Sequence, residues 1–214
     1  MTQKAQQLSE KNQNREKPIN KLIFNALIKN NAILSAGMGI APVIVFANTF
    51  RNAVALTVAF TVITLFTLLF SSFVPQSIVY SIRIILYTII GALVYVPAII
   101  ILNSFMPEQI NSMGVFFPLL IANSFIVSRS ETIFFNETKG RMLIDIIFSI
   151  LGYDIAVLIF GFVREIISTG EFNGNMLAMS THFSVFSLVS GGFILLGISA
   201  ALLRAGLLIG RKLK

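Results

Sequence analysis

Apolar residues in this chain gather into runs of about twenty, without the two-residue alternation of a half-buried strand or the single stripe of a surface helix. Six such runs fall at about residues 32–50, 53–73, 82–104, 113–128, 142–163 and 184–209. A helix of that length crosses a hydrocarbon core of roughly 30 Å. The pattern therefore predicts an all-α polytopic membrane protein with six transmembrane helices. Ahead of them, residues 1–21 are rich in Gln, Asn, Lys and Glu. They have too little apolar surface to offset the entropy of ordering, so they read as a disordered tail, with residues 22–214 forming one membrane domain. The stretch Leu22 to Ile28, flanked by Lys21 and Lys29, is too short to span and reads as an interfacial lead-in helix. No small-residue cleavage site follows the first long run, which argues against a secretory signal.

Composition strengthens this reading: 56% of residues are hydrophobic and 12% charged, against roughly 45–50% and 25% in a soluble domain. The net charge of +7 is first a topology signal. Of the 16 Lys and Arg residues, all but Arg51 and Arg164 sort to the side of the N-terminal tail, the second and fourth loops and the C-terminus. The positive-inside bias puts both termini in the cytoplasm, with lipid as the surrounding partner and no nucleic acid. There are 0 cysteines, so the chain supplies no disulfide and no thiolate ligand.

The chain matches itself at an offset of 75: Met38, Gly39, Ala47, Asn48 and Phe50 recur as Met113, Gly114, Ala122, Asn123 and Phe125. The copies lie in spans one and four, three helices apart, so the second runs through the membrane in the opposite direction. That is the plan of two inverted three-helix repeats, at about 32–104 and 113–209, in which broken helices meet near the midplane. Pro42 and Pro118 support a break in helices one and four, because each removes a backbone donor and clashes with the carbonyl four residues back. Gly37 and Gly39 loosen the first copy further.

The motifs KNN at 29–31, MGIAP at 38–42, FFPLLIANS at 116–124, SRSE at 128–131 and FVREIISTG at 162–170 come in an order and spacing that resembles the Rnf/Nqr family of integral-membrane electron-transport subunits. The resemblance covers roughly Lys29 to Lys214. It implies a multi-pass protein of a bacterial plasma membrane, a paralogous membrane subunit of opposite topology as partner, further subunits of an Rnf/Nqr-like complex, and electron transport coupled to ion translocation. In that family each of the two paired subunits offers two cysteines to a shared [2Fe–2S] cluster. The matching positions here are Ala41 and Ser124, so both ligands are missing and no cofactor is expected on this chain. His182 matches neither position.

Asp154 falls near the centre of span five, where a lone carboxylate is costly, so it reads as an ion or proton site or as a hydrogen-bonded structural residue. Asp145 is one helical turn from Arg141 and is expected to pair with it. Arg164 and Glu165 close span five and read as an interfacial anchor pair. Gly197, Ala201 and Ala205, with Gly206 and Gly210 alongside, make a small-residue stripe expected to pack within the chain. No phosphate loop, dinucleotide fingerprint, flavin-attachment motif or metal-spaced His/Glu cluster appears, so no independent catalytic site is expected. The alternatives are the substrate-capturing component of an energy-coupling-factor-type vitamin transporter and a structural assembly protein.

Overall fold

The computed structural model describes residues 23, 27, 31–75, 77–121, 123–133, 139–172, 175–176 and 183–212. The expected tail, most of the lead-in helix and His182 lie outside them. The helices are α1 (Ile40–Phe46), α2 (Phe50–Ser71), α3 (Tyr80–Phe105), α4 (Pro107–Met113), α5 (Ser124–Ile133), α6 (Lys139–Thr169) and α7 (Val189–Lys212). Three 3₁₀ turns lie at Gly114–Phe116, Pro118–Leu120 and Ser184–Ser187, and a two-residue ladder joins β1 (Glu171–Phe172) to β2 (Asn175–Met176).

Helices α2, α3, α6 and α7 are each long and apolar enough to cross a membrane, and α4 with the segment Pro118–Thr132 makes a fifth candidate bent by 77°. Helices α2 and α3 cover expected spans to within three residues, α6 runs six residues past the end of its run, and α7 begins five residues later than its run. The first run, 32–50, is different. It holds only the seven residues of α1, about 10 Å at 1.5 Å per residue, and is no continuous helix.

Each copy of the repeat is an interruption rather than a rod. Gly39 (φ 66) and Gly114 (φ 47) occupy matched positions, and both take positive φ; at Gly39 the backbone is left-handed helical, which costs an L-residue roughly 1–2 kcal/mol. Both copies end at a helix start. Thr49 is extended and its Oγ1 accepts from Asn52 N at 3.3 Å, opening α2, while Asn123 Oδ1 accepts from Phe125 N at 3.0 Å at the start of α5. These are N-caps, which satisfy helix N–H groups that lack intrahelical partners. Pro42 sits in the first turn of α1 and Pro118 at the start of its 3₁₀ turn, where a missing N–H costs nothing.

Helix α2 is the centre of the bundle, with 56% of its spanning window buried against 22% for α3 and for α7. It runs antiparallel to α6. Phe50 meets Glu165, Ala53 meets Gly161 and Thr61 meets Asp154. At Gly161 a Cβ would collide with that of Ala53, so the missing side chain permits the close approach of the two backbones. The small-residue stripe of α7 departs from expectation: nothing approaches Gly197 or Gly206 within 4 Å, and Ala201 and Ala205 are exposed. The stripe therefore faces outward, because α7 docks instead through Gly191, Gly192, Leu195 and Leu196, which are buried.

Candidate functional site

The two interrupted segments meet at Tyr153, in the middle of α6. Its hydroxyl donates to the Gly39 carbonyl at 3.1 Å, and its ring stacks on Phe60 with centroids 3.7 Å apart. Phe125, at the start of α5, packs against both rings. Asn123 Nδ2 lies 3.0 Å from the point where a Cβ on Gly39 would stand. Next to Tyr153, the Gly152 carbonyl accepts from Asn31 Nδ2 at 2.7 Å, while Asn31 Oδ1 accepts from Ile33 N and Leu34 N. The buried amide thus fastens the segment before α1 to α6. A helix carbonyl has a second lone pair, and a buried Asn that uses it leaves little unsatisfied.

Ala41 and Ser124 lie beside this junction. Both are exposed, whereas Pro42, Asn123 and Phe125 are buried. The side chains at the two positions are a methyl and a hydroxyl, and the whole chain has 0 cysteines. These donors do not fit an iron–sulfur cluster, which needs thiolate or imidazole. Among the described residues no group of three His, Cys, Asp or Glu side chains is placed to hold a metal ion.

Asp154 is held by α2: Thr61 Oγ1 donates to its Oδ2 at 2.6 Å, and its Oδ1 is buried with no partner among the described residues. The partner is thus a hydroxyl on a neighbouring helix, one of the two arrangements expected for a carboxylate at this depth.

Arg164 and Glu165 are not an interfacial anchor pair. Arg164 is fully buried and donates to four carbonyls: Ile44 at 2.6 Å, Phe186 at 2.7 Å, Leu188 at 3.0 Å and Ser187 at 3.1 Å. Glu165 Oε2 accepts from Phe50 N at 2.6 Å. The physical reason is the interruption itself. The last carbonyls of α1 carry the negative end of its dipole, and the first N–H of α2 the positive end of the next. Adjacent residues of α6 supply the cation to one and the anion to the other.

The opposite end of the bundle has its own network. Arg83 forms a two-pronged ion pair with Glu131, its Nε 2.9 Å from Oε1, and Tyr87 Oη donates to the same oxygen at 2.9 Å. Asp145, expected to pair with Arg141 one turn away, accepts from Arg129 Nη1 at 2.9 Å on the neighbouring helix. A contact within one helix was legible from spacing, and a contact between helices was not.

A family model described as Rnf-Nqr subunit, membrane protein, matches residues 19–200. The chain belongs to the Rnf-Nqr family. It is 30% identical over 203 residues to a subunit of the ion-translocating oxidoreductase complex of Buchnera aphidicola subsp. Acyrthosiphon pisum (strain 5A), covering 86% of this chain and 88% of that protein. It is 27% identical over 179 residues to a subunit of the Na(+)-translocating NADH-quinone reductase of Yersinia pestis (strain Pestoides F), covering 84% and 86%. The vitamin-transporter alternative finds no support beside this membership. Seven of the residues in the Rnf-Nqr-like motifs hold the fold at its breaks and ion pairs: Asn31, Gly39, Asn123, Arg129, Glu131, Arg164 and Glu165. Tyr153 lies outside the motifs and was not singled out, since a lone aromatic in an apolar helix carries no signal of its role.

Proposed function

We propose that this chain is a membrane subunit of an ion-translocating oxidoreductase complex of a bacterial plasma membrane, seated against a paralogous subunit of opposite topology through the face that carries Ala41 and Ser124. The observation that carries this reading is the exposure of those two positions beside buried Pro42, Asn123 and Phe125, at the junction of the two interrupted segments. An exposed spot so close to the best-packed part of a domain suits a surface that another protein covers. The named relatives belong to an ion-translocating oxidoreductase complex and a Na(+)-translocating NADH-quinone reductase, which supports the same placement.

In this reading the membrane domain has six passes in two inverted halves, with the interrupted segments as the first pass of each half and both termini in the cytoplasm. The chain contributes no ligand to a metal cluster, because neither Ala41 nor Ser124 offers one. Redox activity belongs to the assembled complex, to which this chain brings the scaffold of the break and the carboxylate of Asp154 as a candidate ion or proton site. Purifying the native complex and identifying the neighbours of this chain tests the reading. Recovery without other membrane subunits would contradict it, and a reporter fused at residue 214 that is active only on the outer face would contradict the topology.

A further inference from the structure

A hydroxyl in an apolar helix ordinarily bonds to a carbonyl three or four residues back. Thr57 does so to Val54 at 2.8 Å, Thr88 to Ile84 at 3.0 Å and Ser199 to Leu195 at 2.8 Å. Thr64, Thr67 and Ser71 do not. All three are fully buried in α2, and their hydroxyl oxygens have no partner among the described residues. Their spacing of three and four puts them on one face, which begins at Phe60, the residue stacked on Tyr153.

The same condition recurs on the helices around that face. Ser130 on α5 is buried with an unpartnered hydroxyl oxygen, as is Oδ1 of Asp154, whose other oxygen Thr61 holds, while Ser149 on α6 is buried with its hydroxyl toward the Asp145 carboxylate one turn away. Because α2 and α6 are antiparallel, Ser149 stands between the levels of Asp154 and Asp145, alongside the Thr64 to Ser71 half of α2. The orphaned groups therefore fill one half of the bundle. They start at mid-helix and end where Arg129 and Asp145, each 15% exposed in its side chain, form their pair. Buried polar atoms without partners are rare because each carries its full desolvation cost. Five of them along these facing helices point to something that bonds to them. The ionisable side chains around the seam are Tyr153 and Asp145 from α6, Arg129 and Glu131 from α5, and Arg83 and Tyr87 from α3, and α2 has none after Arg51.

We propose that Thr64, Thr67, Ser71, Ser130 and Ser149 line a narrow file of water that exchanges protons between Asp154 and the end of the bundle marked by Arg129 and Asp145. A hydroxyl both donates and accepts, and buried water makes about three hydrogen bonds, so the file satisfies the orphaned hydroxyls on α2 and α5. When the Asp154 carboxyl releases a proton, each member passes one proton on as it accepts another, and bulk water at the mouth gains one. The reverse sequence reloads the carboxylate, and no other bond changes. The inference rests on the proposed place in an ion-translocating complex only for the use made of the proton. The file is a property of this chain and is tested without turnover.

The absence of cysteine from the chain makes the test direct. Single variants Thr64→Cys, Thr67→Cys and Ser71→Cys, in the assembled complex in native membranes, are exposed to silver ion. The thiols left unblocked are then counted with a maleimide after solubilisation. Phe66→Cys is the control: Phe66 is 46% exposed in the fold and lies off the seam. A thiol reacts as thiolate, which needs water, so Thr64→Cys and Thr67→Cys should be blocked at least about tenfold faster than Phe66→Cys. Equal or slower blocking overturns the file. In a second arm, the infrared carboxyl bands removed by Asp154→Asn should exchange in heavy water more slowly in the Thr64→Val, Thr67→Val double variant, and unchanged exchange also overturns it. If silver reaches the seam while the purified chain has no partner subunits, the file stands and the placement in the complex fails.

Discussion

Arg164 and Ile44 lie 120 residues apart in the chain, yet Arg164 Nη1 donates to the Ile44 carbonyl at 2.6 Å. The bond closes the end of α1, whose last carbonyls have no intrahelical donors. The same guanidinium reaches three carbonyls between Phe186 and Leu188, so one side chain ties α1, α6 and the start of α7 together. Its planar fork of five donors makes this possible.

Replacing Arg164 with Met keeps the stem and removes the donors. Each buried carbonyl left without one costs about 1–3 kcal/mol, so the variant should melt well below the native protein in detergent and accumulate poorly in membranes. Arg164→Lys, with three donors at a point, should fall between the two. Equal melting of Arg164→Met and the native chain would show that the guanidinium does not brace the break.

At the junction, Tyr153→Phe keeps the ring on Phe60 and loses only the bond to the Gly39 carbonyl, a loss of about 1 kcal/mol. Gly39→Ala should cost more. Its φ of 66 charges an L-residue about 1–2 kcal/mol, and the new Cβ would press on Asn123 Nδ2 and Tyr153 Cε2, both 3.0 Å away. Thermal unfolding of the two variants should rank Gly39→Ala as the less stable.

Much of the fold was legible in the pattern of apolar runs, because the hydrocarbon thickness dictates their length. The runs behind α2 and α3 match those helices closely, and the run behind α6 stops six residues short of its end. The breaks were legible in part. Pro42, Pro118 and the glycines marked them, but the Asn-Thr-Phe step was read as the end of the first span and the Asn-Ser-Phe step as part of the fourth, when they cap new helices. A polar Asn, Thr or Ser ahead of an apolar run was the available signal. Arg164 was misread for a different reason. Hydropathy places an arginine at the interface, and only the assembled structure supplies four carbonyls to receive it inside.

Glu131 joins α5 to α3 through Arg83 and Tyr87. Glu131→Gln and Arg83→Ala should each destabilise by about 1–3 kcal/mol, since either leaves a half-buried charge with less compensation. The double variant should lose less than the two single losses added together, with a coupling of about 0.5–3 kcal/mol in a double-mutant cycle. Strict additivity would mean that the pair contributes nothing.

Cysteines placed together at Ala41 and Ser124 report whether the two copies meet as inverted halves do. Sites able to share one tetrahedral metal hold their sulfurs roughly 4 Å apart, with Cα atoms within about 10 Å. A short bifunctional thiol reagent should therefore join Ala41→Cys to Ser124→Cys within one chain, with no native thiol to interfere. Failure of the link in well-assembled protein would separate the two positions.

The most direct test asks what covers the face between the interrupted segments. A photoreactive side chain placed first at position 41 and then at 124, in native membranes, captures the neighbour of each. Both positions should capture one and the same membrane protein, related in sequence to this chain. Capture of lipid alone, or of unrelated neighbours at the two positions, would contradict the account.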